Sequence, residues 1–269
     1  MIKLDYIVMD LEFNQHFDFE DGTGSAAVPE CPFEIIQVGF VKLDADFKIK
    51  ETIELNIRPS IYKRIHPFVG KITGITYRDL YRDAMSFPQC FGKICRFIGS
   101  SDNVFAVWGG SDVKLLLRNV IYHGLSTSAI PKNYIDVQSL ASQRLNTSSG
   151  MSVGLKNAVA AFGIEQERPF HSALNDALYT ARIFGIVRKG EPNLEKYVKG
   201  VSAEAGELSP RKRKVKDSGY DIAALYHEAE KLFGRKLSAS QKTVVRKIYE
   251  MGIAEKFKLV YHESKNNGR

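Results

Sequence analysis

The first apolar stretch of the chain, residues 4–12 (L-D-Y-I-V-M-D-L-E), has the pattern of a β-strand and ends with two acids, Asp10 and Glu12. Alternate residues of a strand point to the same face, so the two carboxyl groups share one face. The apolar residues around them predict a buried strand. Two buried carboxylates repel each other and lose hydration, and a bound divalent cation would relieve both effects. The strand therefore favours a metal site, with two acids on a solvent-exposed edge strand as the alternative.

The segments that follow predict a mixed α/β sheet. Residues 13–33 lack any sustained period, whereas residues 34–43 and 47–57 have strand patterns and complete a three-stranded meander. Strands and helices then alternate, which is typical of a sheet flanked by helices. We expect five strands in all. The later strands are predicted at residues 104–108 and 134–137, and the main helices at residues 86–97, 112–123, 154–162 and 176–188.

The distribution of charge divides the chain into two parts. Of the net charge of +7, residues 1–190 contribute 21 Lys and Arg against 20 Asp and Glu, and residues 191–269 contribute 17 against 11. We expect a main domain over residues 1–189, a basic linker over 190–217 and a small, basic helical domain over 218–269. A basic appendage suits contact with a polyanion such as nucleic acid, and solubility alone is the alternative interpretation.

Composition excludes several classes of protein. No apolar run approaches the roughly 18 residues that span a bilayer, and the N-terminal residues lack the apolar stretch of a signal peptide. We therefore expect a cytoplasmic protein that makes no use of a membrane. The three cysteines, Cys31, Cys90 and Cys95, match no zinc-binding spacing, and their odd number argues against a disulfide framework. Cys90 and Cys95 lie in a predicted amphipathic helix, and we interpret them as small core residues.

Three further residues indicate a functional site only when they are considered together. Asp112 follows a strand pattern and opens a predicted helix, where Ser111 or Asp112 would serve equally well as an ordinary N-cap. Asp176 begins another helix and has the same two interpretations. His171, five residues earlier, would by itself more often be a surface or core histidine. Together with the two acids of the first strand, these residues supply four carboxylates and a histidine from three segments, which predicts a two-metal nuclease.

The order of these residues resembles that of the DEDDh 3′–5′ exonucleases, also called DnaQ-like or RNase T-like. The D-x-E motif of that family matches Asp10 and Glu12, and its second motif matches Asp112. Its third motif, H-x-x-x-x-D, matches His171 and Asp176. The related tyrosine-type group has a tyrosine four residues before the last aspartate, where this chain has a serine, so the histidine type fits.

Other segments extend the resemblance over residues 4–188. Residues 72–76 (I-T-G-I-T) are similar to an L-T-G-I-T segment of the family, and residues 154–157 (G-L-K-N) are similar to the start of one of its helices. Residues 34–41 and 134–138 look most like the Eri-type and KapD-like branch, which trims RNA 3′ ends. The resemblance implies a ribonuclease H-like fold, with a mixed five-stranded sheet flanked by helices.

The resemblance also implies a mechanism and its cofactors. Two Mg²⁺ or Mn²⁺ ions, about 3.5–4 Å apart, would be bound by the four carboxylates, and oxygen ligands suit these hard cations. His171 would accept the proton of the attacking water as the general base, and the product would be a nucleoside 5′-monophosphate. The implied metal ligands are Asp10, Glu12, Asp112 and Asp176.

Substrate contacts and substrate class are expected from the same resemblance. Phe13 and Asn14 would meet the 3′-terminal sugar, and Ile72 and Thr73 would lie near the last base, although Phe13 is equally well interpreted as a core aromatic. The expected partner is the 3′ end of nucleic acid, with RNA favoured over single-stranded DNA. A catalytically inactive nucleic-acid-binding or scaffold protein and an enzyme for short oligonucleotides or nucleotides are the alternatives. Both a monomer and a homodimer are compatible with the sequence.

Overall fold

The computed structural model describes the N-terminal part of the chain almost completely and the C-terminal part in fragments. The chain divides into two compact units, Met1–Leu208 and Ser209–Arg269. The described residues are 4–19, 22, 26–82, 84–147, 151–189, 198–201, 226, 229–230, 236–239, 241–243 and 245–246.

A mixed sheet of six strands forms the centre of the N-terminal unit. The strands are β1 (Tyr6–Gln15), β2 (Phe33–Leu43), β3 (Ile49–Asn56), β4 (Val104–Val107), β5 (Asn133–Asp136) and β6 (Val198–Gly200). They lie in the order β3-β2-β1-β4-β5-β6. The meander of β1, β2 and β3 is antiparallel, the neighbours β1, β4 and β5 are parallel, and β6 runs antiparallel to β5.

Seven helices of the N-terminal unit are described, and most of them follow the predicted positions within a few residues. They are α1 (Pro67–Thr73), α2 (Tyr77–Tyr81), α3 (Phe87–Ile98), α4 (Ser111–Tyr122), α5 (Val137–Arg144), α6 (Leu155–Ala161) and α7 (Ala173–Lys189). Gly74 adopts the left-handed conformation with a φ of 70° and ends α1, because a glycine has no Cβ to oppose this geometry.

Strand β1 is buried because each of its faces packs against a different set of helices. Ile7 and Met9 belong to a cluster that includes side chains of α3 and α4. Val8 belongs to a second cluster, built with side chains of α5, α6 and α7. Burial on both faces explains why the strand is almost continuously apolar. By alternation along the strand, Asp10 and Glu12 face the same side as Val8.

The sheet has one strand more than the sequence predicts. Residues 198–200, which fall in the predicted linker 190–217, form β6 and pair with β5, with Lys199 opposite Tyr134. The Nζ atom of Lys199 lies 5.9 Å from the centre of the Tyr134 ring and 3.3 Å from a carboxylate oxygen of Asp136. The prediction of five strands is wrong because three residues are too few to show a strand period.

The starts of two helices also differ from the prediction. Gly110 is the N-cap of α4, and no side chain caps it, so neither Ser111 nor Asp112 has the predicted capping role. Helix α7 begins at Ala173 rather than at Asp176. Both acids are therefore inside the first turn of their helices, where a carboxylate interacts favourably with the helix dipole without capping the helix.

The remaining expectations concern the cysteines, the membrane and the C-terminal unit. Cys90 is completely buried in the core and Cys95 packs against it, which confirms their interpretation. No helix among the described residues is long and apolar enough to cross a membrane. In the C-terminal unit, residues 226, 229–230, 239, 241–243 and 245–246 are helical, and the rest of the predicted helical domain lies outside the described residues.

Candidate active site

The two carboxylates of β1 lie side by side on the face that is covered by α7. Asp10 is opposite Gly39 of β2, and Glu12 is opposite Gln37, and directly opposed residues of antiparallel strands point to the same face. A β-bulge between Glu12 and Phe13 shifts the pairing immediately after the second acid. Bulges change the direction of a strand and often lie next to active sites.

Strand β4 brings Asp112 to the same edge of the sheet. Because β4 is parallel to β1, with Val107 opposite Met9, the carboxyl end of β4 lies beside Asp10. The chain then turns through Gly109, which has a φ of 85°, and enters α4. Asp112 is the second residue of that helix and only 9% of its surface is exposed. A parallel pair of strands thus places the third carboxylate near the first two.

Helix α7 lies close to the carboxylates because two residues of β2 allow its first turn to pack against the sheet. A Cβ atom on Gly39 would lie 2.1 Å from the backbone of Ala173 and Leu174, so only glycine allows this approach. The Oε1 atom of Gln37 accepts a hydrogen bond of 3.0 Å from the backbone N–H of Ala173. That N–H belongs to the first turn of α7 and has no acceptor within the helix. Gln37 and Gly39 therefore fix the position of Asp176 over the sheet.

His171 and Asp176 meet at the start of this helix. The backbone N–H of His171 donates to Oδ2 of Asp176 at 3.2 Å, and His171 has a left-handed φ of 67°, which is rare for a residue other than glycine. The Oδ1 atom of Asp176 is buried and accepts no hydrogen bond from the described residues. One ligand atom each of Glu12, His171 and Asp176 lie within 4.8 Å of one another.

The carboxyl groups strongly perturb one another. Burial raises the pKa of Asp10 well above its usual range, and the charges of Asp112, Asp176 and Glu12 raise it further. Burial, with the charges of Asp176 and Asp112, raises the pKa of Glu12 to about 8. Burial raises the pKa of Asp176 to about 6, and the hydrogen bond from His171 opposes this rise. Four acids that cannot ionise together without cost are typical of a site that binds cations.

His171 is affected in the opposite direction. Partial burial lowers its pKa, and the positive charge of Lys156 lowers it further. The imidazole is therefore neutral at neutral pH, and a neutral ring can accept a proton. His171 is exposed and Asp176 is buried, and their ligand atoms lie within 4.8 Å of each other, so the ring lies where solvent and the carboxylates meet.

The residues of this site fit divalent cations. Oxygen atoms of carboxylates are the ligands that Mg²⁺ and Mn²⁺ prefer, and a cation would give the unpartnered Oδ1 atom of Asp176 a ligand bond. It would also offset the mutual repulsion that raises the carboxyl pKa values. The site brings together all five residues that the sequence singles out: Asp10, Glu12, Asp112, His171 and Asp176.

The four predicted substrate contacts lie beyond the carboxylates, and one prediction needs correction. Asn14 is completely buried, and its side chain bonds the carbonyls of Tyr62 and Arg64 and the N–H of His66. Its amide is therefore engaged in holding residues 62–66, not available to a sugar. The hydroxyl of Thr73 donates to Val69 within α1. Phe13 and Ile72 are half-buried, and Phe13 packs against the core.

Prediction from the sequence did not identify the two residues of β2 against which the first turn of α7 packs. Gln37 and Gly39 stand inside an otherwise apolar strand, E-I-I-Q-V-G-F-V. A glycine within a strand signals a close approach of another backbone, and a buried glutamine signals an acceptor that needs a partner. Both signals were present, although neither indicates which segment approaches.

Comparison with known proteins points to one family. A family model described as Exonuclease (RNase_T) matches residues 7–184. The probable 3′-5′ exonuclease KapD of Bacillus subtilis (strain 168) is 25% identical over 200 residues, which cover 71% of this chain and 87% of that protein.

Solved structures share the fold at low sequence identity. The nuclease domain of 3′hExo, a DEDDh family member bound to rAMP, has a TM-score of 0.59 and 21% identity over 74% of this chain and 97% of that domain. The Mg²⁺- and Mn²⁺-bound form of S. pombe Pop2p has a TM-score of 0.55 and 19% identity over 74% of this chain and 89% of that one. These likenesses confirm the ribonuclease H-like fold predicted from the sequence.

Proposed function

This chain belongs to the RNase_T exonuclease family, and on that basis we propose that it hydrolyses nucleic acids from their 3′ ends. The product is a nucleoside 5′-monophosphate. The observation that carries the proposal is the meeting of four carboxyl groups, two of them buried, around a carboxylate oxygen that has no hydrogen-bond partner among the described residues. KapD, the relative described above, is a probable 3′-5′ exonuclease, which supports the same direction of hydrolysis.

The carboxylates of the site would hold two divalent ions, Mg²⁺ or Mn²⁺. When bound, such ions activate a water and stabilise the charge that develops on the phosphate and the leaving oxygen. The protein fixes the ligands from three directions: Asp10 and Glu12 from β1, Asp112 from α4, and Asp176 from α7. Mg²⁺ and Mn²⁺ are the ions of the bound form of Pop2p, which supports this choice of cofactor.

His171 accepts the proton of the attacking water in this proposal. A lowered pKa keeps its ring neutral at neutral pH, and a ring nitrogen lies within 4.8 Å of carboxylate oxygens of Glu12 and Asp176. General-base catalysis of this type contributes about 10²- to 10⁴-fold to the rate. The proposed role of His171 is proton transfer, whereas the four acids bind the metal ions.

The substrate is a nucleic acid strand with a free 3′ end, and we favour RNA over single-stranded DNA. The structure of the 3′hExo domain with rAMP supports recognition of a ribonucleotide on this fold. The basic residues of the C-terminal part, net +6 over residues 191–269, would attract the phosphates of a longer strand. We propose that residues 218–269 form a separate basic helical domain and that the protein is cytoplasmic, on the grounds given by the sequence; the boundary predicted at residue 189 does not hold, because residues 198–200 belong to the sheet of the N-terminal unit.

The direct test uses oligonucleotides that carry a label at one end. The wild-type chain with Mg²⁺ or Mn²⁺ should release labelled mononucleotide at once from a 3′-labelled strand and should shorten a 5′-labelled strand stepwise. The substitution Asp176→Asn should lower this rate by more than about a thousandfold. Equal activity of the variant, or binding without cleavage across both metals and both RNA and DNA, would favour the inactive nucleic-acid-binding protein instead.

A second test separates the base from the metal ligands. His171→Gln should lower kcat by about 10²- to 10⁴-fold while metal binding, followed by calorimetry, remains. At saturating metal, which keeps the four carboxylates ionised, the acid limb of the wild-type pH–rate profile should disappear in this variant, because no imidazole is left to protonate. A retained acid limb would assign the proton transfer to another group.

A further inference from the structure

A cleft of about 340 Å³ lies beside α1 in the N-terminal unit. Its walls combine aromatic rings, a guanidinium group and short polar groups; the lining includes Phe19, Arg64, Ile65, His66, Thr76 and Tyr77. The volume is at the small end of those that bind organic ligands. It suits a single nucleotide and is too small for a duplex.

Strand β1 connects this cleft to the carboxylates. Asn14 lies two residues beyond Glu12, a distance of about 7 Å along a strand. The three hydrogen bonds of its side chain, to Tyr62, Arg64 and His66, fix the backbone that forms one wall of the cleft. The cleft is therefore held in a set position relative to β1, the strand that carries Asp10 and Glu12.

Two planar groups at the cleft are held in orientations that suit stacking. The guanidinium carbon of Arg64 lies 3.7 Å from the centre of the Phe19 ring. Tyr77 stacks on Tyr81 with a centroid distance of 4.1 Å and an angle of 14°, yet 62% of Tyr77 is exposed. The hydroxyl of Tyr81 donates to the carbonyl of Lys63 at 2.6 Å, which anchors the pair. Bases stack on such rings and guanidinium planes.

The surface around the cleft is positively charged. Residues 58–83 contain six Lys and Arg and two Asp, whereas residues 1–190 as a whole have a net charge of only +1. Two of the described acids oppose this charge: Asp79, which accepts hydrogen bonds from Thr76, and Asp18, which pairs with His16 at 3.1 Å and whose side chain is 91% exposed. The excess of positive charge is complementary to a phosphate backbone.

We propose that this cleft binds the single-stranded part of the substrate that lies upstream of its last two nucleotides. The ring of Tyr77 and the guanidinium plane of Arg64 stack on its bases, and the charge of Arg64, with that of the surrounding Lys and Arg side chains, binds its phosphates. That the bound strand is the substrate rests on the proposed function. The cleft is then the site at which the enzyme distinguishes a long substrate from a dinucleotide.

Binding is measured without cleavage, in the full chain with Asp176→Asn as the background. Fluorescence anisotropy reports the affinity for a labelled 12-nucleotide single strand and for a blunt duplex of the same length. Tyr77→Ala and Arg64→Ala should each weaken single-strand binding about tenfold. Tyr77→Phe should retain the affinity because it keeps the ring, and Arg96→Ala, an exposed arginine in the last turn of α3, should have no effect. Asp18→Asn should strengthen binding.

The salt dependence gives an independent readout of the same site. Arg64→Ala should reduce the slope of log affinity against log salt by about one, whereas Tyr77→Ala should leave the slope unchanged. Unaltered single-strand affinity in both alanine variants would overturn the inference, as would an equal loss for single strand and duplex.

Activity separates this inference from the proposed function. In the otherwise wild-type chain, Tyr77→Ala should raise KM for the 12-nucleotide strand about tenfold and leave the cleavage of a dinucleotide unchanged. If the wild-type chain cleaves no oligonucleotide but the alanine variants lose binding, the proposed function fails and the cleft assignment stands. If wild type and Tyr77→Ala cleave the 12-nucleotide strand equally well, the proposed function stands and the cleft assignment fails.

Discussion

Two buried carboxylates, Glu34 of β2 and Asp176 of α7, differ in how the protein surrounds them. Glu34 is 2% exposed, and its two oxygens accept hydrogen bonds from the backbone N–H groups of Ser60, Ile61 and Tyr62 and from the hydroxyl of Ser60. Asp176 is 8% exposed, yet one of its oxygens has no hydrogen-bond partner among the described residues.

The difference separates a structural carboxylate from a functional one. Glu34 is satisfied by donors of its own chain, so it stabilises the turn that follows β3. Asp176 lies instead among three other acids, and its burial costs stability unless a cation is bound. Burial alone therefore does not identify an active site, whereas a buried carboxylate that has an unpartnered oxygen and acidic neighbours does.

The largest effect expected from this contrast is on catalysis. Asp10→Asn should lower the exonuclease rate more than about a thousandfold because a metal ligand is lost. The same change should raise the melting temperature of the metal-free protein, since it removes one of four repelling charges; each kcal/mol corresponds to about 2–4 °C. Initial rates and thermal melts in EDTA measure the two effects. A variant that loses both activity and stability would contradict this assignment of Asp10.

Glu34 should respond in the opposite way. Glu34→Gln replaces one acceptor oxygen by an NH₂ group that faces backbone donors, and it should destabilise the fold by about 3 kcal/mol while activity persists at temperatures where the chain is folded. Urea unfolding measures the change. Glu51→Gln, an exposed acid of β3 that lies 3.7 Å from Lys42, is the matched control and should shift stability by less than about 0.5 kcal/mol. Equal effects of the two substitutions would remove the distinction drawn for Glu34.

The smallest effect concerns the pH dependence of stability without metal. The unfolded chain loses the Glu12 proton near the ordinary pKa of 4.5, whereas the folded protein keeps it until about pH 8. The folded state therefore binds more protons between these values, and its stability falls as the pH rises through them. Urea unfolding in EDTA at pH 5 and pH 8 should show a loss of about 1–3 kcal/mol, and Glu12→Gln should reduce it. Stability that rises over this range would contradict the raised pKa.

The parts of the molecule that local patterns determine were predictable from the sequence. The strand with Asp10 and Glu12, the meander after it and the DEDDh family membership are confirmed by the fold and the family match. These depend on residue spacing within one segment or on motif order. The structure also brings the predicted acids and His171 together, although their individual roles remain proposals.

Features that depend on contacts between distant segments were not predictable. The packing of α7 on Gly39 brings together residues that are more than a hundred positions apart in the sequence. The family resemblance predicts that Asn14 contacts the substrate, and no pattern in the sequence indicates that its side chain instead bonds residues 62–66. Strand β6 is too short to have a period, and its pairing with β5 depends on tertiary context.

Metal binding tests most directly whether Asp10, Glu12, Asp112 and Asp176 form a cation site. Calorimetric titration of Mn²⁺ into the wild-type chain should show two equivalents bound, with a rise in melting temperature as the metal concentration increases. Asp10→Asn should lose at least one equivalent and most of that rise, whereas Glu34→Gln should keep both equivalents. Absence of Mn²⁺ binding by the wild type, or identical binding by Asp10→Asn, would contradict the account.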